Sequence, residues 1–459
     1  MQILHTRDPE FPERWRRLCA RGSEEDEGAV RDSAARIVAD VRSRGDAALL
    51  EHTRRLDGWS PQAAGDLVAG PEELAAAWRS LPAASRRALT LAARRIEAFH
   101  RRETDAVVPL YRDALGARLG QVSRPLARVG LYVPGGTARY PSSVLMMAIP
   151  ARVAGVGTVV AASPADRATG RVDAWTLAAC HVAGVSRLFK VGGAQAVAAL
   201  AFGTATVDAV DKICGPGNAY VAAAKRLVFG HVDIDMIAGP SEVLVLADAG
   251  ASPAEAAADL LAQAEHDPRA VSVLIVTAEA TAVATLAEAE RQLASLPRAD
   301  VARSSLEGRG AAVVARSLAE AVSLADEFAP EHLVVLVKGA ARLLPKLSRA
   351  GAVFLGSSTP EAIGDYVAGP SHVLPTAGTA RFDSPLSVAT FRRRMSVVEM
   401  TPRALEALAP TVEALTAAEG LEAHARAVRV RLTVEPERRG SAAGPSRKGR
   451  RRRVQGRIR

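Results

Sequence analysis

Apolar positions recur at helical spacing through residues 30–103, and that spacing predicts a helical lead. In "AARIVADVRSRGDAALLEHTRRL" Ile37, Val38, Val41, Ala48 and Leu49 fall on one stripe, with charged side chains opposite. "PEELAAAWRSLPAASRRALTLAARRIEAFHRR" repeats the pattern. The texture changes near Gln121, where short apolar runs begin to alternate with helical stretches. "ARVGLYVPGG" reads as a strand ending in a Pro-Gly-Gly turn, and "YPSSVLMMAIPARVAGVGTVVAASP" as a helix followed by a buried strand. "TLAACHVAGVSRLFKVGGAQAVAALAFG" is a second such unit; both carry the string VAGV where a helix hands over to a strand. A third strand, "VDAVDKICGPGN", opens the helix "AYVAAAKRLVFG".

The alternation resumes with the strand "SEVLVLAD", the helix "SPAEAAADLLAQAEHD", the strand "AVSVLIVTA" and the helix "TAVATLAEAERQLASL". Further strands are expected at "GAAVVA", "LVVLV" and "AVFLG". Strands alternating with helices predict parallel α/β sheets. The pattern therefore divides into two α/β blocks, roughly 130–240 and 240–385. "LEALAPTVEALTAAEGLEAHARAVRVRL" is helical, and beyond Glu435 the composition turns to Arg, Gly, Ser and Pro, which predicts a disordered tail.

Length and composition fit that picture. A chain of 459 residues suggests two to four domains at about 100–200 residues each. It is 48% hydrophobic with only 4% aromatic residues, which favours helices packed on sheets. The net charge of +9 hints at nucleic acid until it is located. From Glu437 to Arg459 there are ten Lys or Arg and one acid, so the rest of the chain carries 49 of each sign. The body has no electrostatic footprint for a polyanion. Weak, salt-sensitive contact with nucleic acid is left to the tail alone. Cys19, Cys180 and Cys214 match no disulfide framework and no CxxC motif. The N-terminus has no apolar signal region, and no charge-free stretch of 18 apolar residues exists. The expectation is a soluble, cytoplasmic protein.

Three glycine-rich turns end parallel strands: "GLYVPGG" with Tyr132, "VGGAQA" with Gln195, and "CGPGN" with Asn218. Each is either a tight turn or a place where backbone N–H groups meet phosphate. Ligands of open α/β sheets bind at the carboxyl ends of strands, so together the turns suggest a nucleotide cleft. "LLAQAEHDP" places Gln263 and His266 on one helical face, either as metal ligands or as a polar helix end. "STPEAIGDYVAGPSHVLPT" holds Asp365 near the end of a short helix that Thr359 is expected to cap, with His372 in the following loop. "AAEGLEAHARAV" holds Glu419 and His424. Of nine histidines, His266, His332, His372 and His424 have Gln, Glu or Asp nearby. With Gln263 and Asp365 they could supply an N/O set without thiolate, suited to zinc or another borderline divalent ion. No HExxH, GxSxG or P-loop occurs.

"FAPEHLVVLV" places Glu331 and His332 side by side where an apolar run begins. Adjacent side chains on a strand point to opposite faces, so both reach one site only if the backbone is irregular there. A desolvated glutamate and a histidine can both move protons near neutral pH.

At this point the sequence resembles the histidinol dehydrogenase family. The strings "GLYVPGG", "YPSSVLM", "VGGAQA", "KICGPGNAYV", "AGPSEVLV", "AQAEHDP", "APEHL", "SHVLPT", "SPLSV" and "EGLEAHARAV" occur in the family's order across roughly residues 25–430. The resemblance implies oxidation of L-histidinol to L-histidine through L-histidinal, with two NAD+ and one zinc ion per subunit. It implies a domain-swapped homodimer of two Rossmann-like parallel-sheet domains with small helical N- and C-terminal parts. The domains would be an N-terminal segment at 1–25; a first α/β domain of 26–131 plus 242–385, bearing metal and catalytic residues; and a second at 132–241, bearing the NAD cleft. A C-terminal part at 386–434 would reach the partner, ahead of a basic tail at 435–459. It implies metal ligands Gln263, His266, Asp365 and, from the partner subunit, His424. Glu331 and His332 would be the proton-transfer pair. Ser241, His372 and Glu419 would contact substrate together with His332 and the metal ligands. Tyr132, Gln195 and Asn218 would contact NAD. The rival readings are a relative acting on another small amino- or sulfo-alcohol, and a metal hydrolase without dinucleotide.

Overall fold

The computed structural model describes residues 1–21, 27–104, 106–135 and 139–433; the tail expected at 435–459 lies outside them. Two compact units are present. The larger, Met1–Asp105 with Arg124–Arg393, contains two six-stranded sheets.

The first sheet is wholly parallel. Its strand order is Gln2–His5, Ala311–Val314, Val271–Val276, Glu242–Ala247, His332–Leu336 and Ala352–Leu355. Glu242–Ala247, Val271–Val276 and His332–Leu336 are buried at every position, as near-continuous apolar runs in a sheet covered on both faces must be. His332 lies opposite Val243 and Ala352 at the amino end of its strand. The edge strand Gln2–His5 pairs with Ala311–Val314. The expected separate segment at 1–25 is therefore built into this sheet through its first strand.

The second sheet runs Val68–Ala69, Arg187–Phe189, Thr158–Ala162, Arg128–Tyr132, Lys212–Cys214 and Asp233–Ile234. All of its pairings are parallel except that of Val68–Ala69. The two VAGV strings behave alike: Gly155 and Gly184 cap their helices in the left-handed conformation before the next strand.

The helical lead packs on the half built around this second sheet, mainly against its flanking helices. Ala34, Ile37, Val38 and Val41 join Val197, Ala201 and Val221 in one core, and Leu74, Leu89, Ala93 and Ile96 join Val129, Val144 and Leu177 in another. This differs from the expected grouping of 26–131 with 242–385. The apolar stripes fixed which helix faces are buried but not which sheet they meet. Among the described residues, no helix is long and apolar enough to cross a membrane.

The second unit comprises Ala106–Ser123 and the chain from Arg394. Besides the expected helices Pro402–Glu419 and Glu422–Thr433, its chain contributes to a three-stranded sheet of Arg392–Glu399, Arg118–Pro125 and Tyr111–Arg112. That sheet buries no face fully, so no apolar alternation announces it.

Candidate functional site

A cleft of about 1880 Å³ opens in the larger unit. Single small-molecule pockets are commonly about 300–1,000 Å³. One wall carries Gly135, Ser143 and Pro216–Asn218 from the second sheet's half; the other carries Ser241, Gln263, His266, Glu331, His332, Asp365 and His372. The second sheet presents carboxyl ends of strands, as expected. The first presents amino ends, since Glu331 precedes and His332 begins the strand His332–Leu336, and Ser241 precedes Glu242–Ala247.

Glu331 and His332 do reach one site. Just ahead of them, Ala329 ends the helix Leu318–Phe328 in the left-handed region, at φ 50°. Both side chains are then held by one residue of the neighbouring strand. The Glu242 N–H donates to Glu331 Oε2 at 2.8 Å, and His332 Nδ1 meets the Glu242 carbonyl at 3.0 Å. A carbonyl only accepts, so Nδ1 keeps its hydrogen and Nε2 is the nitrogen through which the ring can exchange a proton. Nε2 faces Asp365 Oδ1 at 3.6 Å. Burial pushes Glu331 up to about 8 against the opposing pull of His332. Burial disfavours the His332 cation, but Glu361, Glu331 and Asp365 outweigh it and hold His332 well above the usual histidine range.

The possible metal ligands gather beside this pair. Gln263 is on the helix Pro253–Ala264, but that helix ends before His266, which lies in the following turn with its N–H on the Gln263 carbonyl. The expected shared helical face is thus replaced by a helix end and its turn, just before Pro268. Gln263 is buried and, among the described residues, its Oε1 accepts no hydrogen bond. Desolvation keeps His266 below its usual range, hence neutral and able to donate a lone pair. Burial opposes the charge on Asp365, but its contact with His332 prevails and keeps it ionised. An orphaned carbonyl oxygen, a neutral imidazole and a carboxylate are donors that fit zinc. His372 links the two walls: Nδ1 meets the Asp365 carbonyl at 2.9 Å and Nε2 meets Ser143 Oγ at 3.2 Å.

Glu361 is a site residue that the sequence reading missed. It is buried, its Oε1 is 3.7 Å from His332 Nδ1, and its Oε2 has no hydrogen-bond partner among the described residues. Burial pushes it up to about 8. His332, Glu361 and Asp365 bring ligand-type atoms within 4.8 Å of one another. The signal was available: Glu361 and Asp365 are four apart on the helix Glu361–Tyr366 and so share a face. Nor does Thr359 cap this helix. Its hydroxyl bonds the Leu355 carbonyl, Pro360 takes the capping position, and Asp259 Oδ1 accepts the Glu361 N–H from another helix at 3.3 Å.

On the opposite wall, Asn218 caps the helix Ala219–Val228 by accepting from Tyr220 and Val221, and it borders the cleft. Tyr132 and Gln195 lie beneath the surface instead. The Gly193 N–H donates to the Tyr132 hydroxyl at 3.1 Å, while Gln195 Nε2 donates to Asp57 Oδ1 at 3.2 Å. In this conformation they shape the glycine turn. The Gly-Pro-Gly turn is pinned from below by buried Lys225, which bonds the Gly215 carbonyl at 3.0 Å and pairs with Asp235. Gly215 has φ 122°, and a Cβ there would sit 2.1 Å from the Tyr132 carbonyl oxygen. No other residue fits. Glu419 and His424 belong to the second unit, where both are exposed.

A family model described as histidinol dehydrogenase matches residues 20–432. A histidinol dehydrogenase of Syntrophotalea carbinolica is 50% identical over 432 residues, covering 94% of this chain and 99% of that one. One from Geobacter metallireducens is 50% identical over 439 residues, covering 96% and 100%. The crystal structure of histidinol dehydrogenase from Elizabethkingia anophelis superposes with a TM-score of 0.88 at 34% identity, covering 94% of this chain and 98% of that one.

Proposed function

Since the chain belongs to the histidinol dehydrogenase family, the enzymes of the last step of histidine biosynthesis, we propose that it oxidises L-histidinol to L-histidine through L-histidinal, with two NAD+ and one zinc per subunit. The observation that carries this reading is the convergence of Glu331, His332, Gln263, His266 and Asp365 on one cleft wall, facing the glycine turns of the other.

Gln263, His266 and Asp365 would hold the metal, with His424 supplied by the partner subunit. When bound, zinc would fix the imidazole and amine of the substrate, and the nicotinamide would accept hydride. The chain's own residues then do proton work. In its neutral form His332 takes the hydroxyl proton of the alcohol on Nε2, and the surrounding carboxylates hold the resulting imidazolium. The aldehyde must be hydrated before a second hydride can leave. Glu331, whose proton affinity burial raises past neutrality, takes a proton from that water in its ionised form. Glu361 sits against the Nδ1 side of His332, which is already bonded to the Glu242 carbonyl. That corner reads as a charge partner for His332 and not as an open coordination position.

His372, Ser241 and Glu419 would contact the substrate. Asn218 would meet NAD at the cleft edge, with Tyr132 and Gln195 acting from below or after the turn opens. Both α/β halves would serve as Rossmann-like domains, in a cytoplasmic homodimer with shared active sites. Exposed Glu419 and His424 fit a role towards a partner. Acting on another small alcohol is disfavoured by 50% identity to histidinol dehydrogenases over nearly the full chain.

Metal removal tests the reading. Chelation should abolish NADH formation from L-histidinol, and zinc add-back should restore it. Full turnover in metal-free protein would contradict it.

A further inference from the structure

We propose that Arg21 and Glu242 are positioning residues that clamp the Glu331–His332 pair into its working geometry. The proposal rests on the reading of that pair as the proton-transfer centre.

The clamp is an ion pair of which 5% of the Arg21 side chain and 2% of the Glu242 side chain remain exposed. Arg21 Nε donates to Glu242 Oε1 at 2.6 Å, and Nη2 donates to Oε2 at 2.9 Å, the two-point geometry in which guanidinium and carboxylate lock each other's orientation. The same Nη2 reaches the carbonyls of Phe328 at 2.7 Å and Ala329 at 3.2 Å. The guanidinium carbon lies 3.4 Å from the centroid of the Phe328 ring. Arg21 therefore grips the backbone immediately before Pro330, Glu331 and His332.

Glu242 completes the grip from the other side. Its backbone N–H holds Glu331 and its carbonyl holds His332, while its carboxylate is fixed by Arg21. Glu242 Oε1 also accepts the Ala377 N–H at 2.8 Å.

Backbone strain marks the same place. Among the described residues, the non-glycine residues with positive φ are Ala329, at 50°, and Ala377, at 55°. Alanine is disfavoured there and persists only where its surroundings over-determine it. Both alanines bond directly to this ion pair, Ala329 through its carbonyl and Ala377 through its N–H. The left-handed turn at Ala329 ends the helix Leu318–Phe328 directly ahead of the two residues that Glu242 holds. A buried ion pair is costly to desolvate and is a poor route to stability alone. Holding a strained turn beside a proton-transfer pair gives this one a use.

The test uses full-length, zinc-loaded enzyme carrying Arg21→Gln, Arg21→Lys or Glu242→Gln, each made also in a Glu331→Gln background. The readouts are kcat, KM for L-histidinol, bound zinc and thermal midpoint. Arg21→Gln should lower kcat about a hundredfold, as misplacement by about 1 Å does, with KM changed less than about threefold and zinc content unchanged. Arg21→Lys, which keeps the charge but not the fork, should recover part of that loss. With Glu331→Gln already present, Arg21→Gln should cost less than about tenfold, because residues acting as a unit are non-additive. Should Arg21→Gln fail to fold, Arg21→Lys and Glu242→Gln carry the same comparison. Wild-type kcat in a folded clamp variant, or an equal loss in both backgrounds, would overturn the proposal. If Glu331→Gln turns over normally, the underlying reading fails and the clamp's role goes with it. If Glu331→Gln is disabled while the clamp variants are normal, the clamp proposal alone fails.

Discussion

Enzyme carrying Glu331→Gln and His332→Asn together is expected to bind zinc at wild-type stoichiometry and to form no measurable NADH from L-histidinol. The replacements keep much of the local shape. The glutamine carbonyl can still accept the Glu242 N–H that Glu331 Oε2 accepts now. What disappears is the proposed proton-transfer pair: the His332 ring nitrogen that takes the alcohol proton and the Glu331 carboxylate that takes one from water. General acid–base groups contribute about 10²–10⁴-fold each, so losing both should cost about 10⁴-fold or more. Gln263, His266 and Asp365 are untouched, which is why zinc should stay. Metal analysis of the purified variant beside its NADH absorbance checks both halves. Normal turnover would remove the pair from the mechanism, and loss of zinc would tie the pair to the metal instead.

Mixing two inactive variants is expected to create activity. Subunits with His424→Asn lack the proposed partner ligand, and subunits with Glu331→Gln lack the proposed base. In a dimer of shared sites, each site combines Glu331 of one subunit with His424 of the other. A hybrid dimer then has one site with both wild-type residues and one with neither. Random reassociation of equal amounts makes half the dimers hybrid, so about a quarter of wild-type activity should appear. If each subunit completes its own site, every site in every mixture keeps one defect and no activity returns. The rate after unfolding and refolding the mixture, compared with each variant refolded alone, decides between them.

The parallel strands were legible because burial on both faces writes itself as unbroken apolar runs, as in "EVLVLA" and "VSVLIV". The helix-ending glycines were legible for a local reason too, since left-handed caps favour glycine. Long-range choices were not legible. Gln2–His5 is a four-residue edge strand whose partner lies some 300 residues away, and nothing in "QILH" names it. The stripe of Ile37, Val38 and Val41 shows that a face is buried without saying on which sheet. Chemistry followed the same division. Glu331, His332, Gln263, His266 and Asp365 stood in distinctive strings and do line one cleft. Arg21 and Glu242 are 221 residues apart, and their pairing appears only once the fold brings them together. Tyr132 and Gln195 stand in glycine-rich turns at strand ends and are expected from the resemblance to contact NAD, while in the structure both side chains are buried beside the Gly192–Gly193 turn.

The most direct test of the central claim is stoichiometry. A limiting, known amount of L-histidinol is taken to completion with excess NAD+ and zinc-loaded enzyme, while NADH absorbance and the organic product are measured together. Two hydrides leave one substrate in the proposed four-electron oxidation, so two NADH per histidinol should form, with L-histidine as the product. One NADH per histidinol with the aldehyde accumulating, or none at all from folded, metal-loaded enzyme, would contradict the account.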